Sequence, residues 1–250
     1  MGAATPGLVP LTRGQLAEAA HLLPPERPGP MIARHLLGTG NGSCLADRWP
    51  APRALAVETG GNWALAGDPA AFDPAAVAGR VAGFVEAPSA FEPLLRAAAR
   101  ELHEWPRVIL TLERPGDPPP GRPGAPRVRR LGPGDAGPLA GLGPETDWIA
   151  GTWGGPGGLA ASGTGWGAFQ GRRLVAVACP FFVGAVYEDV GVATEPGFRG
   201  LGLSTACAAA VCRDVRRRGR VPSWTTSPDN TASLRVAAKL GFRLQRRDRL

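Results

Sequence analysis

The chain has 250 residues, 44% of them hydrophobic, with a mean hydropathy of −0.06, enough for real cores in one large domain or two small ones. No apolar run reaches the roughly 20 residues of a membrane-spanning helix, and Met1–Gly14 lacks the basic-then-apolar order of a secretion signal, so a cytoplasmic protein is expected. The formal charge of +7 invites a nucleic-acid reading, but Lys239 is the only lysine, and arginine, alanine, glycine and proline are inflated together; that pattern reads as a coding bias, and nucleic acid is not expected as a partner.

In chain order, Gln15–Ala20 reads as a helix and Ser43–Ala46 and Arg53–Val57 as strands. The second strand pairs with Trp63–Ala66 through Thr59-Gly60-Gly61-Asn62, a hairpin turn sequence. Helices are expected over Pro74–Phe84 and Pro93–Glu104, then a strand over Val108–Leu112. Residues 1–113 are read as an N-terminal α/β domain without a catalytic constellation, since His21, His35 and His103 are scattered. Arg114–Pro126 is too dense in proline for strand or helix and reads as a linker.

Residues 127–250 are read as a second α/β domain. Val128–Asp135 forms its first strand and helix entry, and Pro144–Trp153 is expected to be a helix presenting Trp148 and Trp153. Gly154–Gly165 is expected as a mobile loop, and Trp166–Phe169 with Leu174–Cys179 as a hairpin. Cys44, Cys179, Cys207 and Cys212 lack metal or disulfide spacing and read as buried reduced thiols; no metal is expected.

The stretch with most chemical content is Arg199-Gly200-Leu201-Gly202-Leu203-Ser204. Tyr187–Thr194 before it has the composition of a buried strand, and Leu203, Ala206, Cys207, Ala210, Val211 and Val215 after it recur at helical spacing, with Gly219 as the stop. The hexamer is therefore a strand-to-helix turn whose N–H groups, through Thr205, are available to phosphate oxygens. A dinucleotide fingerprint needs glycine at Thr205, and a P-loop needs Gly-Lys-Ser/Thr. Gly202-Leu203-Ser204-Thr205-Ala206 approximates a nucleophile elbow, but no histidine follows it.

The pattern Arg199-x-x-Gly202-x-Ser204, with Asn230 eleven positions before Gly241-Phe242, resembles the core of the GCN5-related N-acetyltransferases (GNAT) over Val186–Phe242. Ser204 stands where the family usually has glycine or alanine. Trp49–Arg53 followed by Trp63–Asp68 resembles the first half of a bacterial subfamily in which a reduced copy of the fold precedes the active one. The resemblance implies a mixed, mostly antiparallel sheet after a smaller α/β domain, with acetyl-CoA as co-substrate. The acceptor it implies is an amine on a small molecule or peptide. Oligomeric state is left open, a homodimer included.

The resemblance assigns the pyrophosphate to Arg199, Gly200, Leu201, Gly202, Leu203, Ser204 and Thr205, and the thioester and pantetheine to Val192, Thr194 and Asn230. Where many relatives carry an acidic tyrosine this chain has Ala237, and Trp224-Thr225-Thr226 offers no carboxylate. Glu188 or Asp189 is then the candidate base, and strand alternation lets only one of them face the cleft. The alternative is a non-catalytic acyl-CoA-binding module of the same fold.

Overall fold

The structure, a computed structural model, describes residues 7–113 and 126–250, which fall into two units. The first comprises the described residues up to Pro25, Ile32–Trp105 and Arg249–Leu250; the second comprises Glu26–Met31 and the described residues of Pro106–Asp248. The expected linker lies outside the described residues except for Pro126.

In the first unit β1 (Val9–Leu11) leads through α1 (Arg13–Glu18) and α2 (Ile32–Thr39) to β2 (Ser43–Ala46). β3 (Ala54–Thr59) and β4 (Asn62–Gly67) form the anticipated hairpin, Thr59 pairing with Asn62 across Gly60-Gly61. α3 (Pro74–Val77) and β5 (Phe84–Glu86) follow, then α4 (Glu92–Ala98). Both helices are shorter than the periodicity suggested: Ala78 and Ala99 leave helical geometry (ψ 131° and 140°), and Phe84 pairs in the sheet instead. The core gathers Trp63, Leu65, Phe72, Phe91 and Leu94 against β3 and β4.

The strands of the second unit begin with β6 (Pro106–Thr111), so the strand expected to close the N-terminal half belongs to this sheet. β7 (Arg127–Arg130), α5 (Ala136–Ala140), a 3₁₀ stretch over Asp147–Trp153 and α6 (Pro156–Ser162) come next. The expected mobile loop is thus largely α6: Pro156 starts it, Gly163 caps it, and burial of Leu159 and Ala160 overrides the glycine content. β8 (Trp166–Gln170) and β9 (Arg173–Val183) form the predicted hairpin. β10 (Tyr187–Thr194) runs into α7 (Leu203–Arg217), β11 (Val221–Thr226) into α8 (Thr231–Leu240), and β12 (Arg243–Arg249) ends the chain.

The sheet order is β12-β6-β11-β10-β9-β8-β7. Along β7 to β10 every pair is antiparallel, and β10 with β11 is parallel. The first sheet repeats this order and polarity, β1 to β4 antiparallel and β4 with β5 parallel. It is therefore a smaller sheet of the same strand order and polarity. Its crossover from β4 to β5 holds only a 3₁₀ turn and the four residues of α3, where the second unit has the 15 residues of α7.

One core of the second unit lies under α7 and α8, with Val190, Cys207, Val211, Trp224 and Phe242 at its centre. The other lies on the opposite side of the sheet, where Ile149, Trp153, Leu159 and Ala193 meet. The alternation of β10 follows: Val190 and Val192 pack toward α7, Ala193 toward the 3₁₀ stretch.

Candidate active site

The parallel pairing of β10 with β11 covers only Tyr187–Asp189 against Val221–Ser223. Beyond it β10 stays with β9 as far as Thr194, while β11 stays with β6 as far as Thr226. The two strands therefore part at their carboxyl ends, where the turns into α7 and α8 begin. Outside the carboxyl ends of parallel strands is where open α/β sheets take their ligands.

The turn into α7 is built for close approach. Gly200 and Gly202 both have φ of +80°, which side chains other than glycine rarely adopt, and nothing lies within 4 Å of where a Cβ would stand at either. Conformation, not space, demands the glycines. Leu203 anchors the helix start in the core, while Leu201 stays exposed. Ser204, the departure from the usual pattern, bonds Thr194 hydroxyl to hydroxyl at 2.6 Å and so fastens the helix to the end of β10. Thr205 is buried. The first N–H groups of α7 have no acceptors within the helix and sit at its positive end, a site for oxyanions.

Arg199 donates to the Thr194 carbonyl (3.3 Å) and pairs with Glu145 (2.7 Å), both side chains more than half exposed. Glu195, buried just after β10, accepts from the Gly143 N–H (3.0 Å), the Thr146 hydroxyl and Arg173 (3.2 Å). The Thr146 hydroxyl, then the Gly143 N–H, hold its carboxyl below the usual range. The segment 143–146 is thus hung from the turn. No sequence pattern announced either link.

At the second turn Asn230 caps α8, its Oδ1 accepting from the Ser233 N–H at 3.0 Å, and the Ser233 hydroxyl takes the Trp224 indole N–H at 2.9 Å. Ala237 is fully buried in the core and supplies no acid to the cleft.

The two candidate carboxylates part as alternation requires. Glu188 is 1% exposed and takes Arg218 Nε at 3.0 Å and Arg220 Nη1 at 2.8 Å, at the end of α7 remote from the turn. It ties helix to sheet and carries no free oxygen for a proton. Asp189 faces the other side, where its Oδ1 accepts from the Ser223 hydroxyl (2.8 Å) and the Thr225 hydroxyl (3.0 Å). Burial pushes its carboxyl up to about 6, against those two hydroxyls and the Arg107 and Arg246 charges. Gly29 closes over this group, its N–H donating to Ser223 Oγ at 3.3 Å, and Arg246 donates to the Pro28 carbonyl at 2.6 Å. Glu26 anchors the same segment by accepting the N–H groups of Ala185, Val186 and Tyr187 at 2.7–2.9 Å.

Against known proteins, the model of the GNAT acetyltransferase family matches residues 145–247. A Streptomyces virginiae protein described as an uncharacterised N-acetyltransferase is 43% identical over 199 residues, 78% of this chain and 82% of that one. This chain belongs to the GNAT acetyltransferases.

The fold agrees. A GCN5-related N-acetyltransferase-like protein from Streptococcus suis superposes with a TM-score of 0.69 at 20% identity, covering 94% of this chain and 97% of that chain. A tandem GNAT protein from the clavulanic acid biosynthesis pathway gives 0.55 at 14% identity over 96% and 95%. Its tandem layout matches the repeated strand order described above. Among the described residues, no three His, Cys, Asp or Glu side chains gather as a metal site in this GNAT protein. Among the described residues, no helix is long and apolar enough to cross a membrane. Its four cysteines are buried, and burial raises every thiol, Cys44, Cys207 and Cys212 to about 12.

Proposed function

We propose that the second unit transfers an acetyl group from acetyl-CoA to a primary amine. The observation that carries this is the parting of β10 from β11 beside a helix start whose turn holds two glycines at φ +80°. Residues 201–205 offer backbone N–H groups to the pyrophosphate, and Arg199 leaves Glu145 to join them. The pantetheine lies between the parted strands beside Asn230, and a β10 N–H near Val192 donates to the thioester oxygen as it gains charge.

Asp189 is the base in this reading. Raised to about 6, its carboxyl still lies below neutral pH, so it is mostly ionised there, and it is a better proton acceptor than an ordinary carboxylate. One amine proton passes to Asp189, directly or through water, as the nitrogen lone pair bonds to the acyl carbon. The C–S bond breaks and sulfur leaves as the thiolate. No acid comes from position 237, so the thiolate departs as the anion or is protonated by water. Buried Ala237 is also what favours the second reading, an acyl-CoA-binding module without turnover.

Calorimetry with acetyl-CoA, followed by thiol release against a panel of amines, tests both. Binding with turnover supports transfer, binding without turnover supports the module, and absence of binding removes both.

A further inference from the structure

The two tryptophans of the 147–153 stretch take different roles. Trp153 is 7% exposed and its indole N–H donates to the Pro180 carbonyl at 2.8 Å, so it seals the core. Trp148 is 46% exposed, its indole N–H turned back to the Glu145 carbonyl at 3.2 Å. Its ring meets Phe181 edge-on, with centroids 5.3 Å apart.

Phe181 occupies an irregularity in the sheet. The register steps from Asp189↔Phe182 to Val190↔Pro180, leaving Phe181 as the extra residue of β9. Bulges of this kind re-aim a side chain, often beside active sites. This one is aimed across Gly191: a Cβ there would stand 3.1 Å from Phe181 Cβ and 2.9 Å from Ile149 Cδ1. The glycine leaves room for a ring to cross the strand. Asp189 and Gly191 share that face, and Val192 is the next residue. Within four residues of β10 there follow a buried carboxylate, a crossing aromatic ring and the backbone at Val192, with exposed Trp148 at the outer side.

We infer that Trp148 and Phe181 form the acceptor subsite, and that it takes an amine carried on an apolar alkyl or aryl body in preference to an amino sugar or other polyhydroxylated amine. The inference rests on the transfer reading above and names its substrate class. An ammonium group is drawn to aromatic faces and its carbon body loses water against them. Hydroxyls laid on two rings give up water without gaining partners. Trp148 binds the acceptor; Asp189 takes its proton.

The test is thiol release from acetyl-CoA with 2-phenylethylamine, hexylamine and glucosamine, using the full chain, Trp148→Ala and Trp148→Phe, with acetyl-CoA affinity measured separately by calorimetry. For the parent, kcat/KM with the two apolar amines should exceed that with glucosamine by about tenfold or more. Trp148→Ala should raise their KM about tenfold with acetyl-CoA affinity unchanged, and Trp148→Phe should restore most of the loss. Equal use of glucosamine, turnover of none of the three by a chain that binds acetyl-CoA, or an unchanged KM in Trp148→Ala would overturn the assignment. A parent chain that does not bind acetyl-CoA fails at the earlier step, and the transfer reading falls along with the subsite.

Discussion

Replacing Asp189 by Asn should do two opposite things at once. The carboxyl is moved from its ordinary 3.8 to about 6, chiefly by burial. At about 1.36 kcal/mol per pH unit, holding it ionised costs the folded state on the order of 3 kcal/mol. An Asn keeps an oxygen for the Ser223 and Thr225 hydroxyls, both of which donate to Oδ1. The sign follows from linkage. A carboxyl with a raised folded pKa contributes its stability in full below the unfolded value, near 4, and loses it as pH rises through 6. Asp189→Asn should therefore be more stable than the parent at pH 7.5, by up to about 3 kcal/mol. The difference should shrink as pH falls through 6 and vanish near 4. Turnover should drop about 10²–10⁴-fold at the same time. Urea midpoints at pH 7.5, 6 and 4.5, read beside steady-state thiol release, measure both. A destabilised variant at pH 7.5, or a stability difference independent of pH, would refute the buried high-pKa carboxylate. Full turnover would refute its role as base.

In the parent, kcat/KM should fall on the acid side with an apparent pKa near 6, a limb absent from Asp189→Asn in a pH–rate profile. Gly202→Val should lose acetyl-CoA binding in calorimetry with its circular dichroism retained, since a β-branched residue at φ +80° distorts the turn at a local strain of about 1–3 kcal/mol. Glu145→Gln should tighten acetyl-CoA binding several-fold by releasing Arg199, an effect that disappears in an Arg199→Ala background. Glu188→Gln should destabilise the chain by roughly 2–4 kcal/mol in urea, leaving two arginines without their buried carboxylate, while the folded fraction keeps its kcat. Parent calorimetry should give one acetyl-CoA per chain, because the crossover between β4 and β5 has no helix like α7.

The strand-to-helix turn at Arg199–Ser204 was legible because its signals are local: a β-branched run, two glycines and a helical repeat lie within thirty residues of one another. The β3–β4 hairpin and the Asn230 cap were readable for the same reason. Helix α6 was not, since Gly157 and Gly158 argue against a helix and only the burial of Leu159 and Ala160 decides for one. The surroundings of Asp189 were hidden more deeply. Ser223 and Thr225 reach it only once β11 is laid parallel to β10 in a given register, and Gly29 comes from 194 residues before Ser223. Alternation along β10 separated Glu188 from Asp189, but the arginines that claim Glu188 come from beyond the end of α7, where nothing in the sequence marks them as partners.

The clasp made by Glu26 has a bearing on how the chain is synthesised. Its carboxylate leaves the ribosome about 160 residues ahead of the N–H groups that receive it. During that interval the segment is tethered to a first unit able to close on its own strands, while the surface it will cover does not yet exist. Docking of Glu26–Met31 is then among the last events of assembly. A gene fragment starting at β6 would supply every strand of the second sheet and still leave Ser223 open to water on the Asp189 face.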